Sequence, residues 1–305
     1  MPKVAFRVLC VPREGDRVEA RPNVHRRRFG SMMRSLRQQA GLTMEAAANQ
    51  LGLPGKPALS KIENGKQRVT GLGLTAFFSV YGVDSEDVRT KVRAMATQAA
   101  SGKRTNLLDE YREAIRSPGF EDYLHLEELA SRAESYLHVV PGLLQTREYA
   151  TAVVEGGHKF ASRAEVRRFV DLRMARQAVL SGENALSLWC VLDESALHRQ
   201  VGGLEVLRGQ WQRLLDVTKE NSKISIQVLP FGAGSHAGID GAFQLLHFEV
   251  GAPVCIVETL ATSVYLEEDV DVSRYIEALD LLRAQALDEK ASRRFIHQLI
   301  KDSDT

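Results

Sequence analysis

Between Val24 and Gly65 the chain is punctuated so closely that only three short helices fit. Phe29, Met32, Met33, Leu36 and Ala40 recur at three- and four-residue spacings, which puts them on one face of a first helix, and Gly41 supplies a left-handed stop. Thr43 stands where a second helix, running to Leu51, needs its N-cap. Residues 52–57 (Gly-Leu-Pro-Gly-Lys-Pro) are too rich in turn formers to continue it. A third helix is expected over 58–63 and ends at Asn64-Gly65, a C-terminal signal. Ala47, Leu51, Leu59 and Ile62 are spaced to form a small wedge core between the second and third helices, and the small Ala47 and Ala48 permit close approach. Two more helices are expected over 70–81 and 85–100.

A short helix braced in this way is the shape that enters a DNA major groove about 12 Å wide, with the preceding helix crossing the backbone. Charge supports that use. Residues 1–104 hold 19 Lys and Arg against 8 Asp and Glu, a net of +11. Taken from the chain totals of 40 and 39, this leaves 21 against 31 in residues 105–305, a net of −10. A basic nucleic-acid module joined to an acidic module with another job is one reading, and a solvated basic face is the other.

On the third helix and its flanks, Lys56, Ala58, Ser60, Lys61 and Asn64 are the candidate base-reading residues. Lysine reaches guanine edges or phosphates, serine donates or accepts, and alanine can touch a thymine methyl. Arg34, Arg37, Thr43, Lys66 and Arg68 are the candidate phosphate contacts, which supply affinity without sequence information. For any one lysine, solvation or phosphate contact stands beside base readout.

Around this module, residues 1–23 read as a basic flexible arm with a short strand over 4–11, and 101–105 (Ser-Gly-Lys-Arg-Thr) as a linker. Residues 106–305 have an α+β texture. Helices are expected over 106–116, 121–138, 162–181, 203–221 and 271–299, the last broken near Leu287-Asp288. Strands are expected over 186–192, 224–229, 242–250 and 254–258. Ile224, Ile226 and Val228 alternate with polar neighbours, so one face is buried, whereas Val254-Cys255-Ile256-Val257 is apolar on both faces. The expected fold class is therefore a mainly α helix-turn-helix domain over 24–100 followed by an α+β domain.

Catalytic signatures are missing from the sequence. The eight histidines show no H-E-x-x-H or paired metal spacing, and there is no G-x-S-x-G elbow or P-loop. Residues 232–238 (Gly-Ala-Gly-Ser-His-Ala-Gly) have the outline of a phosphate-binding turn, but a strand pattern follows where an anion site needs a helix N-terminus. A hairpin loop covering a pocket is the better reading. Asp193-Glu194 reads as a helix start. Cys10, Cys190 and Cys255 lie far apart without C-x-x-C, so neither a disulfide framework nor a zinc module is expected, and a reducing cytoplasm is. No apolar run is long enough for a membrane span, and the first residues lack a signal-peptide core. The reading is of a non-enzyme without metal or cofactor, cytoplasmic and nucleoid-associated.

Leu36-Arg37, Gly41-Leu42-Thr43, Ala47-Ala48, Leu51-Gly52-Leu53, the run Leu59-Ser60-Lys61-Ile62-Glu63-Asn64-Gly65, and Tyr81-Gly82-Val83 resemble the helix-turn-helix family of phage repressors and xenobiotic-response-type regulators. In that family the position of Glu63 is structural, pinning the end of the recognition helix. The turn over 53–59 is one residue longer than the common pattern and carries two prolines. Val140-Pro141-Gly142-Leu143-Leu144-Gln145-Thr146 with Tyr149-Ala150, Arg173-Met174-Ala175-Arg176-Gln177, Leu192-Asp193-Glu194, Val228-Leu229-Pro230-Phe231 and Gly241-x-Phe243 resemble the C-terminal part of the WhiJ-type, antitoxin-like regulators of actinobacteria.

The resemblance implies a DNA-binding repressor that acts as a homodimer on a pseudo-palindromic operator. It also implies a small protein encoded nearby as a partner. A small-molecule effector is a further candidate partner, and an antitoxin-like adaptor that sequesters the small protein is the alternative function. In the C-terminal module Leu143, Gln145, Tyr149, Arg173, Arg176 and Gln177 are the candidate ligand or partner residues. The apolar members are read as an exposed groove and the arginines as an anion or interdomain clamp. A tight helix connection with core leucines, and a salt-bridged basic face, are the alternatives.

Overall fold

The computed structural model describes residues 24–69, 71–101, 109–115, 118–157, 162–249, 251–260 and 262–303. The arm over 1–23, residues 102–105 of the expected linker and much of the helix expected over 106–116 lie outside them.

Five helices build the N-terminal module: α1 (Val24–Gln39), α2 (Met44–Gln50), α3 (Lys56–Glu63), α4 (Gly71–Val80) and α5 (Glu86–Ser101). Most of the first-helix stripe is buried, with Phe29, Met32, Met33 and Leu36 packed against Ala47, Ala48, Leu59, Ile62, Leu74, Phe77 and Phe78, while Ala40 is exposed just past the end of α1. Ala47, Ala48 and Leu59 are fully enclosed, so the small residues do set the α2–α3 approach, while Leu51 packs at the edge of the wedge. The third helix starts at Lys56, two residues before the expected position. Pro57 falls in its first turn, where proline lacks nothing the helix needs, so a residue read as a breaker is part of the helix start.

The C-terminal module is a six-stranded mixed sheet between helical layers. Its strands are β1 (Arg132–Leu137), β2 (Ser187–Asp193), β3 (Ile224–Leu229), β4 (Phe243–His247), β5 (Val254–Glu258) and β6 (Ser263–Leu266), in the order β3-β2-β1-β4-β5-β6. The pairs β1–β2 and β2–β3 are parallel; those across β1–β4–β5–β6 are antiparallel. Its helices are α6 (Pro118–Leu129), α7 (Arg147–Gly156), α8 (Arg163–Arg176), α9 (Ser195–His198), α10 (Leu204–Glu220), α11 (Asp269–Gln285) and α12 (Glu289–Asp302).

Side chains divide by strand period. Leu188, Cys190 and Leu192 with Ile224, Ile226 and Val228 face Leu207, Trp211 and Leu214 of α10 and Ile296 of α12. Tyr136, Val191, Leu229 and Phe243 face Val272, Leu279 and Leu282 of α11. Val254 and Ile256 lie on the first face and Cys255 on the second, as a strand apolar on both sides demands. Asp288 breaks the last helical pair where expected, accepting from the Ala291 amide at 2.6 Å to cap α12.

One helix serves both modules. Val24, at the start of α1, is buried in the C-terminal core, while Phe29 onward belongs to the N-terminal one.

Candidate nucleic-acid interface

The reading head is held from beneath. Thr43 caps α2 by accepting from the Ala46 amide at 3.2 Å, and the Leu53 amide returns to the Ala48 carbonyl at 2.9 Å to close the turn. From Gly55, at φ +92°, the chain enters α3. At the far end α1 crosses α3 backbone to backbone. A β-carbon on Gly30 would stand 2.5 Å from the Glu63 carbonyl oxygen, and one on Gly65 2.6 Å from that of Arg26. Gly65 also adopts φ +68°, so it is the left-handed stop as well as the contact point.

Arg37 is the bolt. Its Nε and Nη2 donate to the two carboxylate oxygens of Glu63 at 2.6 and 3.1 Å, and its Nη1 to the Leu42 carbonyl at 2.8 Å. Both side chains are buried. Glu63 therefore pins the end of α3, the position that the resemblance makes structural. Arg37, expected as a phosphate contact, has its guanidinium committed internally, which makes it a positioning residue.

What remains outward is a row of polar and basic groups. Lys56, Lys61, Asn64, Lys66 and Arg68 are exposed, as is Thr43, while Ala58 and Ser60 are half-buried. Lys56 meets Glu45 at 3.0 Å in solvent, a pair worth little. Asn64 donates to the Ser60 hydroxyl at 3.1 Å and accepts from Arg34 Nη2 at 2.9 Å. Ser60, Asn64 and Arg34 thus form one connected polar patch along α3.

The other candidate set lies inside the C-terminal core. Leu143 and Tyr149 are buried among the core side chains, so the expected exposed groove is a packed connection. Gln145, also buried, donates to the Val140 carbonyl at 2.7 Å and accepts from Arg173 at 2.6 Å. Gln177 donates to the Gln145 carbonyl at 2.7 Å. Arg176 makes a bidentate pair with Glu127 at 3.0 and 2.7 Å, sandwiched near Phe120 and Tyr123. These polar groups hold α6, α8 and the 140–146 turn together, which fits the alternative of a tight connection.

Cys190 and Cys255 are free and buried, and burial pushes both thiols up to about 12, so neither is a nucleophile near neutral pH. Among the described residues no cluster of His, Cys, Asp and Glu suits a metal ion, and no helix is long and apolar enough to cross a membrane.

The sequence reading missed how the basic head meets the acidic module. Arg27 lies 2.9 Å from Asp122 and 3.3 Å from Glu267, and Arg28 donates to the Ala252 carbonyl at 2.7 Å with its guanidinium 3.4 Å from the Phe248 ring centre. Burial lowers Arg28 to about 10. The opposite net charges of the two halves, with Arg26-Arg27-Arg28 set against the acidic run that starts at Glu267, were the available signal.

The family model described as Domain of unknown function (DUF5753) matches residues 120–298, more than half of the chain. The chain belongs to the DUF5753 family. A second model, a helix-turn-helix domain, matches residues 28–91, which covers α1 to α4 and the start of α5 ahead of the DUF5753 domain. No curated protein and no solved structure matches the chain. The helix-turn-helix match supports a DNA-binding regulator, and α3 with its polar row lies within the matched residues.

Proposed function

We infer that the chain is a sequence-specific DNA-binding transcriptional regulator that places α3 in the major groove. One observation carries this reading. A short helix bolted by Arg37–Glu63 turns Lys61 and Asn64 outward, and Lys56, Lys66 and Arg68 flank it on a strongly basic module. Ser60, Lys61 and Asn64 read base edges, with Lys56 and Ala58 at the entry of the helix. Thr43, Lys66 and Arg68 contact phosphates and set register.

The DUF5753 domain is the regulatory module in this reading. Dimerisation, a repressor's sign, an effector and a small protein partner belong to the proposal on the strength of the sequence resemblance, and so does a cytoplasmic, nucleoid-associated location. A two-fold dimer places its heads about 34 Å apart, one helical turn, on one face of the duplex.

Hydroxyl-radical footprinting on the DNA upstream of the chain's own reading frame tests this. The expected pattern is two protected patches one turn apart, both weakened in Lys61→Ala. A single patch removes the dimer from the proposal, and uniform weak protection at every position removes sequence-specific regulation.

A further inference from the structure

Arg34 is shared between the reading head and the DUF5753 domain. Its Nη2 donates to Asn64, in the polar patch along α3, at 2.9 Å, while its Nη1 donates to both carboxylate oxygens of Glu268 at 2.9 and 3.1 Å. Glu268 opens the acidic start of α11, with Glu267 before it and Asp269 and Asp271 in the first turn. A void of about 90 Å³ beside this contact is lined by Ser31, Arg34, Glu63, Asn64, Glu267 and Glu268.

Two kinds of contact make up this joint. Arg27 and Arg28 are largely enclosed and tied to Asp122, Glu267, the Ala252 carbonyl and the Phe248 ring. The Arg34–Glu268 pair is different, because the Glu268 side chain is 71% exposed. An exposed pair of this kind is weak and readily exchanged for another anion. Lys91 with Glu249, at 3.0 Å, is a second exposed tie between the modules.

We propose that Glu268 is an internal substitute for a DNA phosphate, and that the duplex backbone and the DUF5753 domain compete for Arg34. Arg34 Nη1, which donates to both Glu268 oxygens, can donate to phosphate oxygens in their place. A phosphate at Arg34 beside Asn64 cannot coexist with Glu268 where it stands, and it would face the like charges of Glu267, Asp269 and Asp271. DNA binding therefore releases Glu268, while the enclosed Arg27 and Arg28 contacts keep the head tethered. By reciprocity, whatever draws the start of α11 away from Arg34 raises DNA affinity. This inference rests on the DNA-binding reading above and names the regulation of that same site.

The test measures binding of the full chain to upstream and random duplexes across a salt series, for the wild type, Glu268→Gln, Arg34→Ala and the double variant. Thermal melts confirm that all four fold alike. Glu268→Gln is expected to bind both duplexes about three- to tenfold more tightly at low salt, with a salt slope steeper by about one counterion. In the Arg34→Ala background the same change is expected to do nothing. Unchanged or weaker binding by Glu268→Gln overturns the inference. An equal gain with and without Arg34 also overturns it, since that would be a general charge effect. Failure of every variant to bind any duplex would instead sink the DNA reading, and this inference with it.

Discussion

Arg37 and Glu63 are joined through two of the three guanidinium nitrogens and both carboxylate oxygens, fastening α1 to the last residue of α3, 26 positions later. The pair is buried, so neither charge can turn to water when the other is removed. Arg37→Ala is expected to destabilise the head by about 3–5 kcal/mol. In a thermal melt the helical module should lose its transition first, and binding to all duplexes should fall together. A melt unchanged from wild type would show that the bolt is dispensable.

Lys61 and Arg68 separate readout from affinity. Lys61→Ala is expected to weaken specific binding by about 1–3 kcal/mol and relax base preference at one position. Arg68→Ala should weaken upstream and random DNA alike and lower the salt slope by about one. Competition binding with a randomised site checks both, and equal losses on both duplexes for both variants would remove this division of labour.

Gly30 offers a test that leaves every proposed DNA contact in place. A β-carbon there meets the Glu63 carbonyl and the Gly65 amide at 2.5 and 2.8 Å, both rigid backbone. Gly30→Ala should cost about 1–3 kcal/mol of stability through overpacking and tilt α3 away from α1. Measured by melting and by binding, it should impair both, while Gly71→Ala, where a β-carbon meets nothing within 4 Å, should impair neither.

Acid should loosen the joint between modules. His25 on α1 packs edge-on against His125 on α6, with ring centres 4.5 Å apart. Burial, and then the neighbouring His125, hold the His25 ring below the usual histidine value, with Asp122 opposing. A lowered folded-state value means that the unfolded chain binds more protons as pH falls. Stability is thus fully present above the ordinary value of 6.5 and is lost as pH drops through the folded value. Melting temperature should decline from pH 7.5 to 5.5 more steeply in the wild type than in His25→Gln, and equal slopes would contradict this.

Short, strongly punctuated helices were legible because their signals are local. Gly41 and Gly65 act through their own backbone and Thr43 through its hydroxyl on an amide three residues on, so α1, α2 and the end of α3 followed from the residues. Residues 224–229 and 254–258 were equally legible, the first because a buried face shows in the alternation and the second because a short run apolar on both faces suits a central strand. The strand β1 was not. Residues 132–137 were read as the tail of a helix because Glu134 breaks the apolar pattern. Its carboxylate is buried because His247, 2.6 Å away, and Arg283 meet it from β4 and α11, with Arg132 of the same strand at 3.4 Å. The first two partners are tertiary, and no window around Glu134 contains them. β6 was missed for a different reason: four residues at a sheet edge carry too little period to read.

Within the site, the outward row on α3 could be named from spacing, but the job of Arg37 could not be. Position on a helix does not say whether a guanidinium meets a phosphate or a buried carboxylate. The C-terminal candidates failed similarly, because Gln145, Arg173 and Gln177 answer one another across 28 and 32 positions.

The central claim, that this chain reads DNA sequence through α3, is tested most directly by fluorescence anisotropy with the duplex upstream of its own reading frame against a random duplex, across a salt series. The expected result is a preference of about 10³ or more for the upstream duplex, a steep negative salt slope, and a preference reduced about 5- to 150-fold in Lys61→Ala. Equal affinity for both duplexes at every salt, or no binding even at low salt, would contradict it.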